Sequence, residues 1–166
     1  MNLSAPRLFL LAMLALALAA CGFQPRGQLP VLSTELSPLH VQGLDELSPL
    51  YRELSSALRT AGVSLTTNPD QAKSLLRISE RVSDKQVLTT NISQQAVEYE
   101  LVESLRFSLR KVASGQQGEP QQLRVERVLY NPGTTLLAKQ HEEDTLRAEM
   151  RRELVRLLLD RLAAQG

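Results

Sequence analysis

The stretch Ala96-Val97-Glu98-Tyr99-Glu100-Leu101-Val102-Glu103-Ser104-Leu105-Arg106-Phe107-Ser108-Leu109-Arg110-Lys111-Val112 decides the fold. Val97, Tyr99, Leu101, Leu105, Phe107 and Leu109 share one face of a period-two pattern broken only by Glu103, while the alternate face is mostly polar. Alternation of this length is a long strand with one covered and one wet face, as antiparallel sheets often have. A loop rich in Gly and Gln, 114–120, leads to a second alternating run, 121–130, in which Leu123, Val125 and Leu129 oppose Arg124, Glu126 and Val128. The two runs form a hairpin. Upstream, 74–83 is a further strand, with Leu76, Ile78 and Val82 on one face and Arg77, Ser79 and Arg81 on the other. Its alternation is imperfect, because Glu80 falls on the apolar face and Leu75 on the polar one. The polar stretch 89–94 is either a hairpin loop or a continuation of two long strands.

Working outward, the period changes. Ser48-Pro49 opens a helix, since Ser is a favoured N-cap and Pro at the first helical position loses no needed hydrogen bond. Leu50, Leu54, Ala57, Leu58 and Ala61 form its stripe over 48–61, and Gly62 supplies the left-handed stop. From about 136 to 163 a second helix carries Leu146, Met150, Leu154, Leu157, Leu158 and Leu162 on one stripe, with Glu142, Glu143 and Asp144 near its start suiting the helix dipole. Leu39, Val41 and Leu44 suggest a short first strand ended by Gly43, and Val63 and Leu65 the start of another. The order implies an α+β fold, two helices packed on one face of a mostly antiparallel or mixed sheet of about four strands.

Ahead of this domain, Arg7 precedes an unbroken apolar run from Leu8 to Leu18, then Ala19, Ala20 and Cys21, the chain's one cysteine. The run is too short to span a bilayer, and the small residues mark a signal-peptidase site. Leu18-Ala19-Ala20-Cys21 resembles a bacterial lipobox, which implies acylation of Cys21 and removal of residues 1–20. One acyl chain binds membranes marginally, at about 0.8 kcal/mol per buried methylene, so stable anchoring takes more than one. Gly22 rather than Asp after the cysteine favours the outer membrane. Residues 21–36, mixing Pro, Gly and polar residues, read as the acylated cysteine and a tether, and 37–166 as a single domain.

Lys and Arg number 19 against 18 Asp and Glu, and Arg7 lies in the leader, so the mature chain is balanced. That argues against a general nucleic-acid binder. With Cys21 acylated no thiol remains for a disulfide or a soft metal site. His40 and His141 each stand without a motif, and no glycine-rich phosphate loop, Gly-x-Ser-x-Gly or His-x-x-x-His occurs. The sequence offers no catalytic residue, metal-ligand set or cofactor motif.

Cys21-Gly22-Phe23-Gln24-Pro25-Arg26-Gly27 resembles the opening of the LptE family of lipopolysaccharide-assembly lipoproteins. Glu98-Tyr99, Asn131-Pro132 and Leu137-Ala138-Lys139 before an acidic stretch fit the same family. The resemblance implies a non-enzymatic protein anchored at the outer membrane that sits one-to-one inside the LptD β-barrel, helps that barrel fold and delivers lipopolysaccharide to the cell surface. It also implies lipopolysaccharide contact through basic residues. The lysine before the last helix is matched by Lys139, whereas the family's basic position in the loop before the long strand meets Thr89-Thr90-Asn91-Ile92-Ser93, without Lys or Arg. Arg and Lys are natural phosphate partners, which makes Lys85, Arg106, Arg124, Arg127 and Lys139 the candidate contacts. Rival readings are an auxiliary lipoprotein of an ABC-type lipid transport system and a lipoprotein hydrolase using serine with His40 or His141.

Overall fold

The structure, a computed structural model, describes residue 30 and residues 32–130 and 136–165. The leader, Cys21, the lipobox, the Cys-Gly-Phe opening and the Asn131-Pro132-Gly133 turn lie outside the described residues. Four strands, β1 (Leu39–Gln42), β2 (Ser74–Thr90), β3 (Ala96–Lys111) and β4 (Gln121–Tyr130), make one sheet in the order β1-β2-β3-β4. Helix α1 (Pro49–Thr60) connects β1 to β2, and α2 (Leu136–Ala163) follows β4. β1 runs parallel to β2, as a strand-helix-strand crossover allows, while β2, β3 and β4 are antiparallel neighbours. This is the α+β architecture and mixed sheet that the periodicities imply.

Local chemistry sets the elements. The Ser48 hydroxyl accepts from the Tyr51 amide at 3.2 Å, capping α1 with Pro49 behind it. At the other end Gly62, at φ +89°, lets its own amide reach the Arg59 carbonyl and the Val63 amide reach Leu58 at 3.0 Å. That pair of bonds is the Schellman stop, and it aims Val63 into the core. Val63 and Leu65 do not start a strand. Instead the segment runs beside β1, where the Leu39 amide donates to Ser64 and the Thr66 amide to Leu39, so the outer edge of β1 is covered.

The core lies between the helices and one sheet face. Leu76, Leu101, Leu105 and Phe107 from the strands meet Leu54 and Leu58 of α1 and Met150, Leu154 and Leu158 of α2. Each fully buried side chain of this kind contributes about 1.5–3 kcal/mol of transfer free energy. Leu32 and Leu36 also pack there, so the residues read as the end of a tether join the core ahead of residue 37.

Three strand-face expectations are corrected. Ile78 pairs with Phe107 but Glu80 pairs with Arg106, leaving Ser79 as an extra residue in a bulge. Past the bulge the faces of β2 exchange: Glu80 reaches Arg106 on the side away from the helices, Val82 joins it there half-exposed, and Arg81, Ser83, Lys85 and Val87 turn toward the helices. The bulge sits beside Gly43, at φ +84°, where a Cβ would stand 2.0 Å from the Ile78 carbonyl oxygen. Lastly, the outer face of β3 is not uniformly wet. Val102 and Ser104 are buried there, flanked in register by Asp84 and Glu126 and by Val82 and Arg124.

Candidate ligand-binding site

Beyond the bulge, β2, β3 and β4 run on side by side almost to the turn at 91–95, and the start of α2 lies against this end of the sheet. Here a pocket of about 380 Å³ opens. Lys85 of β2, Tyr99 of β3, Leu129 and Tyr130 of β4, and Lys139, Gln140, Glu142, Glu143 and Asp144 of α2 line it. Register explains the convergence: Val87, Tyr99 and Leu129 are aligned across three strands, and the bulge has put Lys85 on their face. Without the extra residue at Ser79, Lys85 would point away from α2.

The pocket is wired into the fold by charge. The Lys85 ammonium donates to Glu143 Oε2 at 2.6 Å and stands 4.2 Å from the centre of the Tyr99 ring, a cation–π contact. The other Glu143 oxygen, Oε1, accepts from Arg147 Nε at 3.0 Å. Arg147 then donates through Nη1 to Glu103 Oε1 and to Ser83 Oγ, each at 3.1 Å, and through Nη2 to the Asp84 carbonyl at 3.2 Å. Ser83 donates to Glu103 Oε1 at 2.6 Å. Glu103, the one break in the apolar face of β3, is 1 % exposed, so its charge stands only because Arg147 and Ser83 meet it.

Burial pushes the Glu143 carboxyl upward, but the hydrogen bonds and charges of Lys85 and Arg147 outweigh it and hold the group below the usual carboxylate range. Asp84 is also lowered, by its hydrogen bonds from the Gln86 side chain and the Lys85 amide. The acids at 142–144 lie beyond the first turn of α2, too far along to act mainly on its dipole, so Glu143 works as a partner for two cations instead.

Of the five basic candidates the structure brings two together. Lys85 and Lys139 line the same pocket, and Lys139 makes no ion pair with another described residue. Arg106 and Arg124 lie on the sheet face away from the helices, paired with Glu80 and Glu126. Arg127 faces the helices and is paired with Glu153 of α2. Tyr99, which the alternation assigns to the core, is half-buried and lines the pocket beneath Lys85. Arg147 and Tyr130 carry no signal in the sequence, and Glu143 reads there only as an acid suited to the helix dipole; the visible signal is Glu103, an acid on an apolar face that requires a cation opposite. His40 Nδ1 lies 2.9 Å from the Thr66 carbonyl at the covered edge of β1, and His141 is exposed on α2.

The architecture is that of bacterial lipoproteins of known structure. It is similar to the rare lipoprotein B of Shewanella oneidensis (TM-score 0.68, 23 % identity, 78 % of this chain and 96 % of that one). It is also similar to a lipoprotein B of Nitrosomonas europaea (TM-score 0.70, 22 % identity, 86 % and 91 %). Sequence narrows the class. The family model LptE, lipopolysaccharide-assembly, matches residues 36–162. The LPS-assembly lipoproteins LptE of Yersinia enterocolitica and Yersinia pestis are each 32 % identical, over 92 % and 94 % of this chain and 74 % and 76 % of theirs. The chain belongs to the LptE family.

Proposed function

We propose that this protein is a lipid-anchored, non-catalytic factor of lipopolysaccharide assembly, acylated at Cys21 and held at the outer membrane facing the periplasm. It acts with the LptD β-barrel in a one-to-one complex and meets lipopolysaccharide at the pocket between this end of the sheet and α2. Among the described residues no helix is long and apolar enough to cross a membrane, which is consistent with attachment through the N-terminal cysteine. One observation carries the ligand reading: Lys139, without an ionic partner among the described residues, shares a pocket with Lys85, Tyr99, Leu129 and Tyr130. A cation beside an aromatic and aliphatic surface suits a molecule that joins phosphates to acyl chains. Exposed apolar side chains at the same end, Val87, Leu88, Ile92 and Tyr130, extend that surface.

Lys139→Glu tests the reading. Direct binding of lipopolysaccharide should weaken about tenfold, the effect of placing a like charge opposite a phosphate, while the melting temperature stays near that of the wild type. Equal binding by wild type and variant removes the pocket as a lipopolysaccharide contact.

A further inference from the structure

We propose that Lys85 is the second cation of this pocket, held in reserve by Glu143 and transferred to an arriving lipid phosphate while Arg147 keeps Glu143 neutralised. The inference rests on the reading of the pocket as a lipopolysaccharide contact and adds how its charge is released.

The geometry supplies each part. Glu143 divides its two oxygens, Oε2 to Lys85 and Oε1 to Arg147, so losing one cation leaves the other in place. Arg147 cannot follow the lysine outward. Its side chain is 16 % exposed and is tied to Glu103, Ser83 and the Asp84 carbonyl. Lys85 is the open end of the series, 35 % exposed against 21 % for Glu143. Its ammonium stands 4.2 Å from the centre of the Tyr99 ring. A lysine is a flexible point charge with three donors and can change partners by rotating its terminal bonds, which a bidentate arginine does less readily. A phosphate offers more charge and more acceptor oxygens than a single carboxylate oxygen, so the exchange is favourable once the ligand is seated on Lys139.

The consequence is that Glu143 restrains binding. The full-length lipoprotein in detergent micelles would be titrated with lipid A carrying two phosphates, with its monophosphorylated form, and with excess inorganic phosphate as competitor. Glu143→Gln should bind the two-phosphate lipid about two- to fivefold more tightly, the range expected for removing a partly exposed competing ion pair. Lys85→Met should bind it more weakly than the wild type, and Lys85→Met with Glu143→Gln should be no tighter than Lys85→Met alone. The gain should shrink with the monophosphorylated lipid and resist inorganic phosphate.

Glu142→Gln controls for simple loss of negative charge, since Glu142 lines the pocket without an ion pair to Lys85. Melting temperatures establish that each variant is folded, and Glu143→Ala replaces Glu143→Gln if that variant is not. The exchange is overturned if Glu143→Gln binds no tighter, if its gain survives in the Lys85→Met background, if Glu142→Gln gains as much, or if inorganic phosphate competes away the gain. A weakened Lys139→Glu beside an unchanged Glu143→Gln overturns the exchange and leaves the pocket standing. Equal binding by wild type and Lys139→Glu overturns both.

Discussion

Replacing Arg147 with Met should destabilise the domain by about 3 kcal/mol, more than the loss of an ordinary surface charge. Arg147 joins α2 to β2 and β3 through Glu103, Ser83, the Asp84 carbonyl and Glu143. Met fills much of the same space, so the penalty falls mainly on Glu103, which is 1 % exposed. Stripping one partner from a buried pair costs about 3–5 kcal/mol. The figure falls at the lower end because Ser83 still donates to the carboxylate at 2.6 Å. Urea unfolding followed by far-ultraviolet circular dichroism measures it, and a loss of this size lowers the melting temperature by about 6–12 °C for a domain of this length. Glu103→Leu combined with Arg147→Met should recover most of the loss, since no unpaired buried charge remains. A penalty under about 1 kcal/mol, or a double variant as unstable as the sum of the two single ones, would refute the view that Arg147 exists to neutralise Glu103.

Other consequences can be checked independently. Gly43→Ala should cost more than about 2 kcal/mol in chemical denaturation, since both its positive φ and the Ile78 carbonyl oppose a Cβ; a change of a few tenths would mean that the bulge and the end of β1 adjust freely. Because the folded-state pKa of Glu143 lies below its ordinary value of 4.5, its stabilisation is present above that pH and is lost as pH falls through the folded value. The stability advantage of the wild type over Glu143→Gln should accordingly narrow on acidification below about pH 4.5; a pH-independent difference would contradict the pairing. Cys21→Ala should leave a precursor of higher mass that no longer fractionates with the outer membrane. Normal size and location for that variant would exclude acylation at Cys21.

Much of the fold is legible in the residues because most elements obey one period. The β3 alternation and the α2 stripe each repeat long enough to outweigh single exceptions, and Ser48-Pro49 with Gly62 brackets α1 as capping chemistry requires. The face of β2 beyond Ile78 is not legible, because a bulge inserts one residue and inverts the side chains from Glu80 to Val87 without a local signal stronger than the misplaced Glu80. The same bulge hides the site. Lys85 and Lys139 are more than fifty positions apart in sequence and meet only once register and helix placement are known. Arg106, Arg124 and Arg127 look equivalent to them as sequence, yet none of the three lines the pocket, each pairing with a carboxylate elsewhere. Leu32 and Leu36 read as tether because Pro and Gly lie near them, although two leucines four apart are enough to anchor a short turn to a core.

The most direct test of the central claim is gentle detergent extraction of a tagged, chromosomally expressed copy, with quantification of whatever copurifies. The expected result is one large outer-membrane β-barrel, LptD, in near-equal molar amount. Inner-membrane transporter subunits in its place, or no stoichiometric partner, would contradict a role in lipopolysaccharide assembly at the outer membrane.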